Sequence, residues 1–146
     1  MMRDEHALRK QIQTFVRQFG LLEQEHTPCH VPLTPSQAHT LQVLGQAETL
    51  MQYQLAAQLC LEKSTVSRLV QSLVERGWVE RTSNPDNRRE VLLTLTDAGR
   101  SSFEEVQAHA VTKYSTIWSR IPEDRRAQVL DVLATLNTIL QEEEQK

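Results

Sequence analysis

The sequence predicts a mainly α-helical fold with one small β-hairpin, on three observations. Apolar residues recur at steps of three and four, as at Leu8, Ile12, Phe15 and Phe19 or at Val66, Leu69, Val70, Leu73 and Val74. That is the period of helices with one buried face. Two short runs, Trp78 to Ser83 and Glu90 to Leu95, flank the turn-forming cluster Asn84-Pro85-Asp86-Asn87-Arg88, which is the pattern of a hairpin. Helix punctuation is well placed, with Thr34 before Pro35, Gly77 after a periodic run and Pro122 between two helical stretches.

The elements follow in chain order. Arg3 to His26 carries the stripe Leu8, Ile12, Phe15, Phe19 and Leu22 and predicts an amphipathic helix. Thr27 to Pro32 is a break, closed at both ends by Pro28 and Pro32. Thr34 caps a second helix that starts at Pro35 and runs to about Ala47. Thr49 to Met51 reads as a short link, and Gln52 to Leu61 as a third helix with Leu55, Ala56, Leu59 and Cys60 as its apolar contacts. In that setting Cys60 is most simply a small core residue. Lys63 to Arg76 is a fourth helix, ended by Gly77. After the hairpin, Thr96 caps a long helix that runs through Phe103, Val106, Tyr114 and Ile117 until Pro122 interrupts it. A last helix from about Glu123 carries Val129, Val132, Leu133, Leu136, Ile139 and Leu140 and ends in the solvated tail Glu142-Glu143-Glu144.

Composition narrows the function. The 146 residues fit one domain, with about 34–96 as a compact winged part and about 3–32 and 97–146 as a helical dimerisation part. Hydrophobic residues at 39% and charged residues at 24% suit a modest core and exclude a disordered chain. Aromatics at 5% leave no platform for stacking single-stranded bases. No apolar run approaches a membrane span, and Arg3, Asp4, Glu5 and His6 stand where a signal peptide needs an apolar core, so the expected location is the cytoplasm. The formal charge is −3, but it is unevenly spread. Between Gln52 and Arg89, the six cations Lys63, Arg68, Arg76, Arg81, Arg88 and Arg89 face the four anions Glu62, Glu75, Glu80 and Asp86. A basic centre between acidic ends suits a DNA reader whose outer helices do other work.

Two short helices joined by a tight turn and followed by a hairpin make a winged helix-turn-helix. The second helix can enter a major groove, and the wing can reach a minor groove or the backbone. Lys63, Ser64, Thr65, Ser67, Arg68 and Gln71 supply short hydrogen-bonding groups and long cations on the fourth helix, which base-edge reading and phosphate contact both need. Trp78 and Val79 read as core beneath the wing, and Asn84 and Asn87 as turn formers. Arg76 and Arg81 read equally well as phosphate contacts and as surface charge.

Four segments resemble the multiple antibiotic resistance regulator (MarR) family. They are Leu33-Thr34-Pro35-Ser36-Gln37-Ala38, Lys63-Ser64-Thr65-Val66-Ser67-Arg68-Leu69-Val70, Leu73-Val74-Glu75-Arg76-Gly77-Trp78-Val79, and Asp86-Asn87-Arg88-Arg89 leading to Leu95-Thr96-Asp97-Ala98-Gly99-Arg100. The resemblance covers Leu33 to Arg100. It implies a sequence-specific transcriptional regulator, a repressor, that binds a palindromic operator in double-stranded DNA as a homodimer and answers to a small-molecule, metal or oxidant effector. It also implies roles: Ser64, Thr65, Ser67, Arg68 and Gln71 would face the major groove, Arg88 would enter the minor groove, and Asp86 would hold Arg88, with Arg89 beside it.

A second group of residues suits zinc. Glu25, His26, Cys29 and His30 lie near the first break, His39 on the second helix and His109 on the helix after the wing, and His, Cys and carboxylate together are zinc donors. The plainer reading of His39 is a partly buried helix residue with a satisfied ring, and that of Cys29 an ordinary loop thiol. A thiol sensor at Cys29 would need His26 or His30 to lower its pKa. Catalysis is not expected: there is no nucleophile elbow, no phosphate-cradling glycine loop and no HExxH spacing. The alternative to an operator-binding regulator is a winged-helix module for protein–protein interaction, which would lack both the basic wing and the polar fourth helix.

Overall fold

A computed structural model describes residues 2–22 and 32–144. The chain is mainly helical with one small antiparallel sheet: α1 (Met2–Phe19), α2 (Pro35–Ala47), β1 (Thr49–Met51), α3 (Gln52–Leu59), α4 (Lys63–Glu75), β2 (Val79–Asn84), β3 (Asn87–Leu95), α5 (Asp97–Arg120) and α6 (Glu123–Glu144). Its contacts divide it into two compact units, residues 1–109 and 110–146. None of the described helices is long and apolar enough to cross a membrane.

In the first unit, α1 is shorter than its apolar period predicts. The expected helix ran to His26, but α1 stops at Phe19 because Gly20 turns left-handed at φ 87°. The stop is closed by Gly20 N donating to Arg17 O at 3.2 Å and Leu21 N to Val16 O at 3.2 Å, the paired bonds that glycine permits at a helix end. Phe15 and Phe19 stack on α1 with ring centroids 5.4 Å apart.

The N-cap of α2 is Thr34, as the sequence predicts. Thr34 Oγ1 accepts from Gln37 N at 3.2 Å, and the Gln37 side chain accepts from Thr34 N at 3.2 Å. This reciprocal box satisfies two donors that a helix start leaves open. The segment Thr49–Met51, expected as a link, is instead a strand. It pairs antiparallel with β3 through Thr49↔Thr94, Leu50↔Leu93 and Met51↔Leu92, giving the sheet order β1-β3-β2. Three residues carry no readable alternation, and only the distant partner strand makes them a strand.

Cys60 is also a correction. It is exposed, not a core residue. Helix α3 ends two residues before Leu61, and Cys60 takes the left-handed position there at φ 55°, ψ 42°. Its thiol therefore leaves the helix's apolar face. Gly77 does the same service after α4 at φ 77°, with Trp78 N donating to Leu73 O at 3.0 Å.

The core of this unit has two clusters. Leu44, Leu55, Val66, Val70, Leu73, Val79 and Leu93 pack α2, α3, α4 and the sheet together. Leu33, Ala38, Leu41 and Val106 form the second, against which Trp78 and Phe103 pack. Val79 is buried and Trp78 half-buried beneath the wing, as the sequence predicts. Thr96 caps α5 through Gly99 N at 3.0 Å and also donates to Gly77 O at 2.6 Å, tying the start of α5 to the end of α4.

In the second unit, a corner at Pro122 joins the last part of α5 to α6. Arg126 closes it, donating to Ile121 O at 3.1 Å with its guanidinium 5.3 Å from the centre of the Trp118 ring. No described side chain of α6 is buried. Leu130, Leu133, Ile139 and Leu140 are all exposed.

Candidate nucleic-acid interface

Helix α4 separates its residues by face. Val66, Val70 and Leu73 enter the core, and Ser64, Ser67, Arg68 and Gln71 stand exposed at the i, i+3, i+4, i+7 spacing of one helical stripe. Lys63 is exposed at the first turn, and Thr65 is half-buried. The helix is held from the α2 side, where Gln37 Nε2 donates to Ser72 Oγ at 3.3 Å and Ser72 Oγ in turn donates to Leu69 O at 2.6 Å.

The wing is an irregular hairpin. Its strands run in register from Val79↔Leu95 to Ser83↔Val91, and then the pairing jumps to Asn84↔Asn87. Arg88, Arg89 and Glu90 therefore have no partner residue across the hairpin. Such bulges re-aim side chains away from the regular ladder. The turn asparagines hold the tip: Asp86 N donates to Asn84 Oδ1 at 3.1 Å, and Arg89 N to Asn87 Oδ1 at 3.1 Å. Asn84 Nδ2 donates to Glu90 Oε2 at 2.8 Å and closes the bulge. Among the described residues, Asp86 and Arg88 form no ion pair with each other, and Lys63, Arg68, Arg88 and Arg89 are free of carboxylate partners. Asp86, Arg88 and Arg89 are all exposed.

Lys63 and Arg89, from different elements, line one open cleft of about 210 Å³ between α3, the start of α4 and the wing. Gln52 and Tyr53 at the start of α3 line it too; sequence reasoning did not single them out. The two arginines left undecided by sequence have definite places. The Arg76 guanidinium lies 4.3 Å from the centre of the Trp78 ring. Arg81 Nη1 donates to Gln71 Oε1 at 2.6 Å, and Arg81 Nη2 to Ser67 O at 3.3 Å.

Of the expected zinc donors, the structure describes only His39 and His109. Glu25, His26, Cys29 and His30 lie outside the described residues. His39 is exposed on α2, not partly buried, and His109 is exposed on α5. Ala38, Thr40, Leu41 and Leu44 take the buried side of α2, which leaves His39 on the opposite side. Among the described residues no group of three or more His, Cys, Asp or Glu side chains is placed to hold a metal.

Residues 33–91 match the family model described as MarR family. The transcriptional regulator AdcR of Streptococcus pneumoniae is 29% identical over 114 residues, which span 76% of this chain and 77% of that one. A probable transcriptional regulator from Pseudomonas aeruginosa is 26% identical, with a TM-score of 0.69 over 89% of this chain and 93% of that one. A mutant MarR from E. coli, solved in complex with operator DNA, has the same fold: its TM-score is 0.76 at 22% identity, over 93% of this chain and 97% of that one.

Proposed function

We propose that this chain, whose residues 33–91 match the model of the MarR family, is a cytoplasmic repressor that binds a palindromic operator as a homodimer. The observation that carries this reading is the pairing of two exposed surfaces in one unit. One is the polar stripe of α4, and the other is a wing whose arginines sit at a break in the strand register. Ser64, Thr65, Ser67, Arg68 and Gln71 read base edges in the major groove. Arg88 enters the adjacent minor groove, where narrow, A·T-rich sequence concentrates negative potential. Lys63 and Arg89 seat a backbone phosphate at their shared cleft. Asp86 orients Arg88 once DNA is engaged.

Residues 34–96 do the reading in this division of labour, and the flanking helices dimerise. Support for a second copy comes from apolar faces exposed in each unit. On α1 these are Leu8, Ile12 and Phe15, and on α6 Leu133 and Leu140. Apolar surface of this extent on a soluble chain marks a docking face, and a two-fold dimer matches a palindrome half-site for half-site. An effector that changes operator affinity completes the reading.

The test is a gel-shift survey with genomic fragments, followed by footprinting of any fragment retained. The expected result is a protected site with two half-sites about one helical turn apart, bound at roughly 10⁻⁸ M or tighter. Binding that is equal for all fragments and vanishes with modest salt would leave only non-specific charge attraction and overturn the proposal.

A further inference from the structure

The exposed stripe of α4 contains one residue that is not free to act alone. Gln71 Oε1 accepts from Arg81 at 2.6 Å, while Gln71 Nε2 donates to Glu75 Oε1 at 3.1 Å. A glutamine amide is nearly symmetric in shape, so its neighbours decide which end is which. Here they leave no choice: a guanidinium only donates and a carboxylate only accepts. Gln71 is therefore held in one orientation with both polar atoms engaged.

Arg81 is well placed to do the holding. It stands on β2, two residues from the buried Val79 and thus on the same strand face, and its backbone pairs with Leu93, which is fully buried. Its second arm reaches Ser67 O at 3.3 Å, one helical turn before Gln71. One side chain of the wing thus contacts two residues of the reading stripe, from a backbone anchored in the core. Gln37 and Ser72 hold the same helix from the α2 side.

We propose that Arg81 is a positioning residue for sequence reading, which locks the Gln71 amide and fixes the wing to α4 without itself contacting DNA. This rests on the operator-binding reading above. The consequence is chemical. A free glutamine reads adenine with both ends of its amide. Gln71, engaged at both ends, retains one N–H and one lone pair for the groove, and the lock fixes the directions in which they point. Two divergent donors in a rigid fork are needed for the lock, and a lysine ammonium cannot reproduce that fork.

The test uses the full-length protein with Arg81→Ala, Arg81→Lys, Gln71→Ala and the Arg81→Ala, Gln71→Ala pair. Each is titrated with the operator and with single-base variants of one half-site, at several salt concentrations. Arg81→Ala and Arg81→Lys should each relax preference at the same base position as Gln71→Ala, by about tenfold. The double variant should be no worse than either single, because the two residues act as a unit. Arg81→Lys should keep the wild-type salt slope. Restoration of wild-type base preference by Arg81→Lys, with Arg81→Ala flattening the log–log salt slope by about 0.9, would make Arg81 a phosphate contact and overturn the proposal. A readout without DNA separates this idea from the operator-binding reading. In the free protein, the side-chain amide resonances of Gln71 should move to solvent-exposed values in Arg81→Ala and Arg81→Lys. Unmoved resonances would refute the lock even if the operator is bound.

Discussion

Leucines at helical spacing meet opposite fates in the two units. In α4, Leu73 is 0% exposed, sealed between neighbouring helices and the sheet, whereas in α6 Leu140 is 63% exposed. Both helices are written with the same period, so the period alone does not create a core. What differs is the supply of covering elements. The winged segment brings α2, α3 and a three-stranded sheet to close over α4. Helix α6 and the stripe on α1 present apolar faces that need something further. The comparison separates a segment that satisfies itself from helices that specify an interface.

The largest expected effect breaks the second half of this comparison. The double change Leu133→Glu, Leu140→Glu puts two charges on the exposed face of α6 and should prevent dimerisation. Light scattering should give the mass of one chain, 16.8 kDa, in place of twice that value. Operator affinity should fall by roughly 10²–10⁴-fold, the advantage of linking two half-sites in one molecule. A dimer mass for the double variant would show that the α6 face is not the interface.

The next effect breaks the first half. Leu73→Ala opens a cavity in a core that has no second copy to fill it, and should cost about 2–5 kcal/mol of stability. Denaturant unfolding at two protein concentrations checks this. A loss below about 1 kcal/mol would mean that the winged core collapses easily around the gap.

The same comparison explains what was legible in the sequence. Caps and helix periods are local, so the Thr34 box, the α4 stripe and the Gly77 stop could be read directly. Strand β1 could not, because only pairing with β3 makes Thr49–Met51 extended. Gly20 could have been read as a stop for α1, and the apolar Leu22 beyond it concealed the signal. Cys60 hid its left-handed position, since a cysteine gives no cue for a role that glycine or asparagine usually announces. Arg81 was ambiguous because its partners lie ten and fourteen residues away and become neighbours only when the wing folds onto α4. The period-2 match between Val79 and Arg81 was the one available hint.

A smaller effect sharpens the roles within the winged segment. Arg88→Ala should weaken operator binding roughly tenfold and flatten the log–log salt slope by about 0.9, because one charge leaves the phosphate field. Ser67→Ala should leave the slope unchanged and reduce discrimination at one base position by about 1 kcal/mol. If Asp86 orients Arg88 in the complex, the Asp86→Ala, Arg88→Ala pair should bind no worse than Arg88→Ala alone. Additive losses would assign Asp86 a separate role. A wild-type salt slope in Arg88→Ala would remove the hairpin from the interface.

The smallest effect concerns the helix ends that let the winged segment close on itself. Four described helices stop with a residue at positive φ, in chain order Gly20, Glu48, Cys60 and Gly77. At the third, Cys60 holds φ 55° with a Cβ that crowds the backbone, a strain of about 1–2 kcal/mol. Cys60→Gly removes this strain but gives the unfolded chain more freedom, which costs roughly 0.5–1 kcal/mol. It also removes the weak thiol contact to Ala57 O at 3.8 Å. These terms oppose, and the strain is the larger. The expected result is a gain of about 0.5 kcal/mol in unfolding free energy with operator affinity unchanged, since Cys60 lies off the α4 stripe. Cys60→Ala keeps the Cβ and removes only the sulfur, so it should show no gain. Equal stability of the Gly and Ala variants would mean that the left-handed turn carries no strain worth relieving and that the thiol's own contacts decide the residue at this position.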